Sequence, residues 1–363
     1  MNLIEFKNIS KTFYKRDETE HTVLSDINFS VKKGECFTII GPNGSGKTTL
    51  LRIIGLIEKP TRGKMFYLGE DITDLSKKEI LLYRRKFSFV RQKPVVLNAT
   101  VANNIAYGLK VRGVERDQII SKVTEIIELV SLRGLANKNA RSLSGGEMQR
   151  VAIAMNFILS PELYLLDEVS ANLDLQNIVL LDKFITKIKQ DKEKTIILST
   201  HDPLEAIKYG DQIAVLNEGK ISQIGTPDEI FTSPVDEFTA QFVGYENIFE
   251  GVAKFDPESG LNKIKINNLT IAASTQKEGK LKVCIRPESI VIAKNPPTGT
   301  SFRNSLKGKV DSIRELGNIC HIFVLCESEK FLITITKQAL TNLDLKPQTE
   351  VFISFKATDV KCL

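Results

Sequence analysis

Along the first residues apolar and polar positions alternate. Leu3, Glu5 and Lys7 fall on one side and Ile4, Phe6 and Asn8 on the other, which predicts a strand. A second strand is predicted from Val23 to Val31, and the run from Glu35 to Ile40, stopping at a glycine, has the pattern of a buried strand. From Thr48 the period lengthens, with Leu50, Leu51, Ile54 and Ile57 at helical intervals. Strand, glycine-rich turn and helix follow in that order.

Residues 93–142 read as mostly helical, with Ile119, Val123, Ile126, Ile127 and Val130 in helical register. The buried strand Leu163–Leu166 runs into Asp167 and Glu168, and Thr195–Ser199 runs into Thr200 and His201. Strands alternating with helices predict an α/β domain with a mainly parallel sheet. Gly225, Pro227, Pro234 and Gly244 interrupt the pattern. Beyond them only short strands are predicted, with one short helix near Lys337–Leu343. The expected organisation is an α/β domain over residues 1–240, with a helical subdomain at about 93–150, and a small all-β domain over 247–363.

Composition changes this picture little. Hydrophobic residues make up 42% and charged residues 26%, a globular balance that excludes a disordered chain. No apolar run approaches the roughly 18 residues of a membrane span, so a membrane role would need another chain. The start, Met1 to Phe6, has no basic segment followed by an apolar one, and no signal peptide is expected. The five cysteines form no C-x-x-C pair and no zinc spacing. Cys320 and Cys326 could pair, but an odd, scattered set suits reduced thiols in a cytoplasm. From Asn247 onward there are 17 Lys and Arg against 12 Asp and Glu. This bias suits either a solvated basic face or an anion ligand.

The turn after the buried strand reads Gly41-Pro42-Asn43-Gly44-Ser45-Gly46-Lys47-Thr48, with Thr49 next, and fits G-x-x-x-x-G-K-[ST]. Such glycines let the backbone wrap a phosphate at a helix N-terminus, whose dipole favours anions. Lys47 supplies charge to the β/γ-phosphates, and the Thr48 hydroxyl is a ligand for Mg²⁺. Asp167 stands at the C-terminal end of a parallel strand, where such sheets present their ligands. It is the candidate metal-holding carboxylate, and Glu168 the candidate for polarising water. A second anion cradle is read at Ser144-Gly145-Gly146, ahead of an amphipathic helix containing Met148, Val151, Met155 and Ile158.

With Leu143-Ser144-Gly145-Gly146-Glu147 lying shortly before Asp167-Glu168, the chain resembles the ABC-transporter ATPases over about residues 1–240. That resemblance implies further roles. Phe13, with Tyr14 as the alternative, would stack on adenine, and Gln92 would contact Mg²⁺ and water and face a membrane partner. Ser170-Ala171-Asn172-Leu173-Asp174 matches the D-loop, which adds Asp174 to the nucleotide set, and His201 matches the histidine that contacts the γ-phosphate. Val169 stands where proline is common, and Met148 where glutamine is common. The implied assembly is a homodimer binding two ATP with Mg²⁺, each between the P-loop of one copy and the Ser144 segment of the other. Permease subunits would span the membrane, with an extracytoplasmic solute-binding protein beyond them. The chain would be peripheral, at the cytoplasmic face.

In the last third, Arg286-Pro287-Glu288 resembles the accessory domains of importer ATPases. Ser301-Phe302-Arg303-Asn304 and Lys356-Ala357-Thr358 lie in a span of 63 residues, 301–363, that resembles the molybdate-binding, mop-like module, an OB-like barrel. That module usually begins Ser-Ala-Arg-Asn, so Phe302 is a departure. Ser301, Arg303 and Lys356 are the candidate ligands of a tetrahedral dianion, through hydrogen bonds and charge. The expectation is an ATP-hydrolysing importer subunit for an oxyanion, molybdate or tungstate, with the same oxyanion as a possible regulator. The alternatives are an importer of sulfate, phosphate, iron or a sugar, and a non-transport ABC ATPase or a regulatory binding module. Without a second cassette or a long coiled-coil insertion, nucleic acid is not expected as a partner.

Overall fold

The computed structural model describes residues 1–14, 19–171 and 173–363. They form two compact units, divided between Pro227 and Asp228.

The strands Cys36–Ile40, Leu163–Asp167 and Thr195–Thr200 are buried at every position. Burial on both faces is what a parallel sheet covered on each side requires. They are neighbours in a six-stranded sheet ordered Lys220–Gly225, Gln212–Asn217, Cys36–Ile40, Thr195–Thr200, Leu163–Asp167, Phe87–Val90. All its pairings are parallel except that of the edge strand Lys220–Gly225. Alternate side chains feed two cores. Leu163 and Leu165 pack with the Lys47–Ile54 helix and the four-stranded antiparallel sheet of the N-terminal segment. Tyr164 and Leu166 pack with the helices Val101–Val111, Arg116–Leu129, Gly145–Phe157 and Leu175–Gln190.

Three local expectations need correction. The first strand does not keep strict alternation: Asn8 takes φ 53 and the pairing slips between Phe6 and Ile9. This bulge brings Ile9, not a residue two positions from Phe6, into the core. The first helix ends at Ile54, because Gly55 caps it and Leu56 takes φ 55, so Ile57 lies outside it and half exposed. In the helical region, the first helix begins at Val101. Residues 94–100 form an irregular approach held by Asn104, whose buried amide accepts from Leu97 N and donates to the carbonyls of Leu97, Ala99 and Thr100.

The C-terminal unit holds two five-stranded antiparallel sheets around one apolar core. One sheet is built from Leu269–Ala273, Leu261–Ile266, Asn247–Asp256, Gly279–Ile285 and Lys361–Cys362. The other is built from Val291–Ala293, Glu350–Phe355, Asn304–Leu316, Ile319–Cys326 and Glu329–Thr336. Residues 301–363 are therefore not self-contained, since strands from before and after residue 301 pair in both sheets. Residues 228–240, placed with the first domain in the sequence reading, group with this unit. Arg286 explains it: the guanidinium donates to Phe231 O at 2.9 Å and lies 4.6 Å from the Tyr245 ring centroid. Lys282 also pairs with Glu237. All five cysteines are free thiols. Cys320 and Cys326 sit six positions apart on one extended strand, a span of about 20 Å at strand rise, too far to bridge.

Candidate nucleotide and metal site

The turn from Gly41 to Gly46 joins the strand Cys36–Ile40 to the helix Lys47–Ile54. Its shape depends on glycine at Gly41, where a Cβ would meet Leu216 O at 2.1 Å, and at two further positions. Gly44 takes φ 83 with open space where a side chain would be, and Gly46 takes φ 108, where a Cβ would meet Leu24 Cδ2 at 2.7 Å. Either substitution would strain the backbone, and the second would also push on the core. Lys47 is almost fully buried. Its ammonium donates to Gly41 O and Pro42 O, both at 2.9 Å, and lies 3.1 Å from Glu168 Oε1. The loop's own carbonyls and one carboxylate thus hold the cation where a polyphosphate would compete for it.

A cavity of about 290 Å³ opens over this turn, lined by Val23, Asn43, Gly44, Gly46, Lys47, Thr48, Thr49, Gln92 and Glu168. Ser45 Oγ, in the same turn but outside the cavity's lining, is buried with no hydrogen-bond partner among the described residues. The buried Lys47 ammonium and the glycine turn, both lining this space, fit a phosphate group.

The acidic end of the strand Leu163–Asp167 meets the turn. Thr48 Oγ1 donates to Asp167 Oδ1 at 3.0 Å, and Ser199 Oγ donates to the same oxygen at 2.8 Å. Burial pushes the Asp167 carboxyl upward, while these two hydrogen bonds pull the other way. Glu168 adopts φ 47, uncommon for a residue with a side chain, and this turns its carboxylate toward Lys47 and His201. His201 Nδ1 lies 3.5 Å from Glu168 Oε2 on a half-exposed ring. Among the described residues no cluster of three or more His, Cys, Asp or Glu exists to hold an ion by itself. One carboxylate and one hydroxyl suit Mg²⁺, which keeps waters and takes substrate phosphates as ligands. Ser199 is the residue the sequence reading passed over. Its signal was available only as a hydroxyl at the end of a buried strand.

The remaining candidates separate into groups. Gln92 lines the cavity from the loop after Phe87–Val90. Phe13 is exposed near the end of the first strand and does not line the cavity, with Lys11 Nζ 4.7 Å from its ring centroid. Tyr14 is more exposed still. Ser144 is the N-cap of the Gly145–Phe157 helix, and its hydroxyl and amide both donate to Glu147 Oε2 at 2.8 Å. Gly145 has open space beside it, while a Cβ on Gly146 would meet Asn177 Nδ2 at 2.9 Å and Asp174 Oδ2 at 3.4 Å. Asp174 caps the Leu175–Gln190 helix through Asn177 N at 2.8 Å. Ser144, Gly145 and Gly146 are absent from the cavity lining, as is Asp174. Asn172 lies outside the described residues.

In the C-terminal unit, Ser301, Arg303 and Lys356 are exposed. The antiparallel pair Asn304↔Phe355 places Arg303 and Lys356 one residue beyond the same end of two neighbouring strands. Asn304, by contrast, is buried. It accepts from Ala272 N at 2.6 Å and donates to Ala272 O at 2.9 Å, tying one sheet to the other.

Known proteins resemble this chain in both units. The ABC transporter family model matches residues 24–171, and the TOBE domain model matches residues 300–362. The chain is 38% identical over 342 residues to the molybdate/tungstate import ATP-binding protein WtpC of Pyrococcus abyssi, covering 93% of this chain and 95% of that protein. It is 35% identical to the spermidine/putrescine import ATP-binding protein PotA of Spiroplasma citri, covering 99% of this chain and 97% of that one. Among solved structures, a dimeric post-hydrolysis state of the ATP-binding cassette MJ0796 bound to ADP and Pi superposes with TM-score 0.58 at 30% identity, covering 62% of this chain and 98% of that one. A glycine turn facing two carboxylates, with family matches in both units and relatives over nearly the whole length, places the chain in the ABC transporter family, as an ATP-hydrolysing subunit with a C-terminal TOBE domain.

Proposed function

We propose that this subunit energises uptake of an oxyanion, molybdate or tungstate, from the cytoplasmic face of a membrane. The observation that carries this reading is the 38% identity, over 93% of the chain, to a molybdate/tungstate import ATP-binding protein. Among the described residues no helix is long and apolar enough to cross a membrane, so the path for the solute would belong to permease subunits. A solute-binding protein outside would deliver it.

Hydrolysis in this reading uses the residues already described. The backbone from Gly41 to Thr49 would wrap the phosphates of ATP, and Lys47 would leave its carbonyl partners for the β/γ-phosphates. Thr48 and Asp167 would hold Mg²⁺, with Gln92 facing it; bound there, the ion would neutralise charge developing on the phosphates. Glu168 would then orient the attacking water and His201 would contact the γ-phosphate. Phe13 would stack on the adenine. Ser144, Gly145 and Gly146, with Asp174 beside them, would close the site from a second copy of the chain. Their supporting observation is an exposed helix N-terminus separate from the cavity.

Ser301, Arg303 and Lys356 would bind the imported oxyanion as a regulator. Support comes from the shared strand end of Arg303 and Lys356 and from side chains that have no hydrogen-bond or ion-pair partner among the described residues. A second reading, import of spermidine or putrescine, has one specific observation behind it, the relative that covers 99% of the chain. Reconstitution with the permease and binding protein decides between them. ATP turnover stimulated by binding protein loaded with molybdate or tungstate, and not with spermidine, is the expected result. Stimulation by spermidine alone would replace the oxyanion reading with the polyamine one.

A further inference from the structure

The strand Thr195–Thr200 pairs in parallel with Leu163–Asp167, and the register sets Ser199 directly beside Asp167. Ser199 is fully buried. Its hydroxyl has one proton, and an ionised carboxylate can only accept, so the direction of the chain of hydrogen bonds is fixed. Glu168 N donates to Ser199 Oγ at 3.3 Å and to Ser199 O at 3.0 Å, and Ser199 Oγ donates onward to Asp167 Oδ1 at 2.8 Å. One residue therefore touches the backbone of the candidate water-orienting residue and the side chain of the candidate metal ligand.

Asp167 Oδ1 accepts two hydroxyl donors, Thr48 and Ser199, while Oδ2 accepts no hydrogen bond from the described residues. The carboxylate is thus held with one oxygen occupied and the other free. Thr48 is itself a candidate metal ligand, whereas the Ser199 hydroxyl is taken up by Glu168 N and Asp167 Oδ1. An alanine would fit the strand and keep the backbone bond from Glu168, so the hydroxyl is not needed to build the sheet.

We propose that Ser199 is a positioning residue for ATP hydrolysis: its hydroxyl fixes which Asp167 oxygen faces Mg²⁺ and steadies the turn that presents Glu168. This rests on the assignment of Asp167 to the metal.

The test uses the full chain with a fluorescent ATP analogue, titrated with Mg²⁺ and then assayed for turnover. Ser199→Ala should leave metal-free nucleotide binding within twofold. It should raise the Mg²⁺ concentration giving half-maximal binding by about 10-fold, the size expected for losing one hydrogen bond to a charged group. It should also lower kcat at saturating Mg²⁺, and Ser199→Thr, which keeps a hydroxyl, should restore both. Asp167→Asn serves as the reference. If it leaves the Mg²⁺ response intact, the metal assignment itself fails. If Asp167→Asn abolishes the response while Ser199→Ala changes half-saturation and kcat less than twofold, the metal assignment stands and the role of Ser199 is overturned. A Ser199→Ala chain that merely melts earlier, with its Mg²⁺ response unchanged, overturns it too. So does a folded Ser199→Thr chain behaving as the alanine variant does, because the effect would then follow shape and not the hydroxyl.

Discussion

Asn304 belongs to the Ser-Phe-Arg-Asn segment that points to an oxyanion, yet its geometry assigns it to structure. The strand Leu269–Ala273 is an edge of its sheet, and its Ala272 N–H and C=O are both satisfied by the Asn304 amide, at 2.6 and 2.9 Å. Asn304→Ala removes both partners at a buried position. With about 1 kcal/mol lost for each hydrogen bond, and part of the desolvation cost of two unpaired groups added, the expected loss is about 3 kcal/mol. The loss is local, and a two-unit chain has no single unfolding free energy, so hydrogen exchange is the proper assay. At about 1.4 kcal/mol per tenfold, the Ala272 amide should exchange on the order of 100 times faster. Asn304→Asp, which keeps an acceptor for Ala272 N but loses the donor to Ala272 O, should fall between. Arg303→Ala and Lys356→Ala should leave the same amide within twofold and act only on oxyanion binding, because both side chains are exposed. Unchanged exchange at Ala272 in Asn304→Ala would refute the assignment. So would equal acceleration by Arg303→Ala.

Other expectations follow from the first unit. Glu168→Gln should bind ATP as the parent does and lose at least about 100-fold in turnover, because the group that would orient water is gone while the cradle remains; parental turnover measured on that variant would show the role is misassigned. Ser144→Arg should abolish turnover while leaving nucleotide affinity of the monomer unchanged, and a monomer weakened as much as by Lys47→Ala would contradict closure from a second copy. Backbone and side-chain hydrogen bonds from Ser144 hold the Glu147 carboxyl below its ordinary value of 4.5. A depressed carboxyl stabilises the fold above its unfolded value and loses that contribution as pH falls through the folded one. Exchange protection in the first turn of the Gly145–Phe157 helix should therefore be full above pH 4.5 and decline below it, whereas Glu147→Gln should flatten that decline.

What could be seen from sequence, and what could not, divides by the distance over which each feature is determined. The glycine-rich turn was visible because its requirements are local: glycines such as Gly44 and Gly46 for positive φ, then Lys47 and Thr48 on the first helical turn. The carboxylates were visible because a fully apolar strand ends at them. The bulge at Asn8 was not, since alternation continues through it on paper and only pairing with the neighbouring strand reveals the slip. The break at Gly225 and Pro227 was visible, but not that residues 228–240 would group with the second unit, where Arg286 reaches Phe231 across 55 positions of chain. Ser199 and Asn304 show the same limit more sharply. A terminal serine on one apolar strand acquires meaning only when a parallel register lays it beside Asp167, 32 positions earlier. An asparagine inside a ligand-like motif becomes a link between sheets only when Ala272, also 32 positions earlier, arrives opposite it. In both, residue type was legible and the partner was not, so motifs name the charged groups of a candidate site but leave unnamed the uncharged groups bonded to its surroundings.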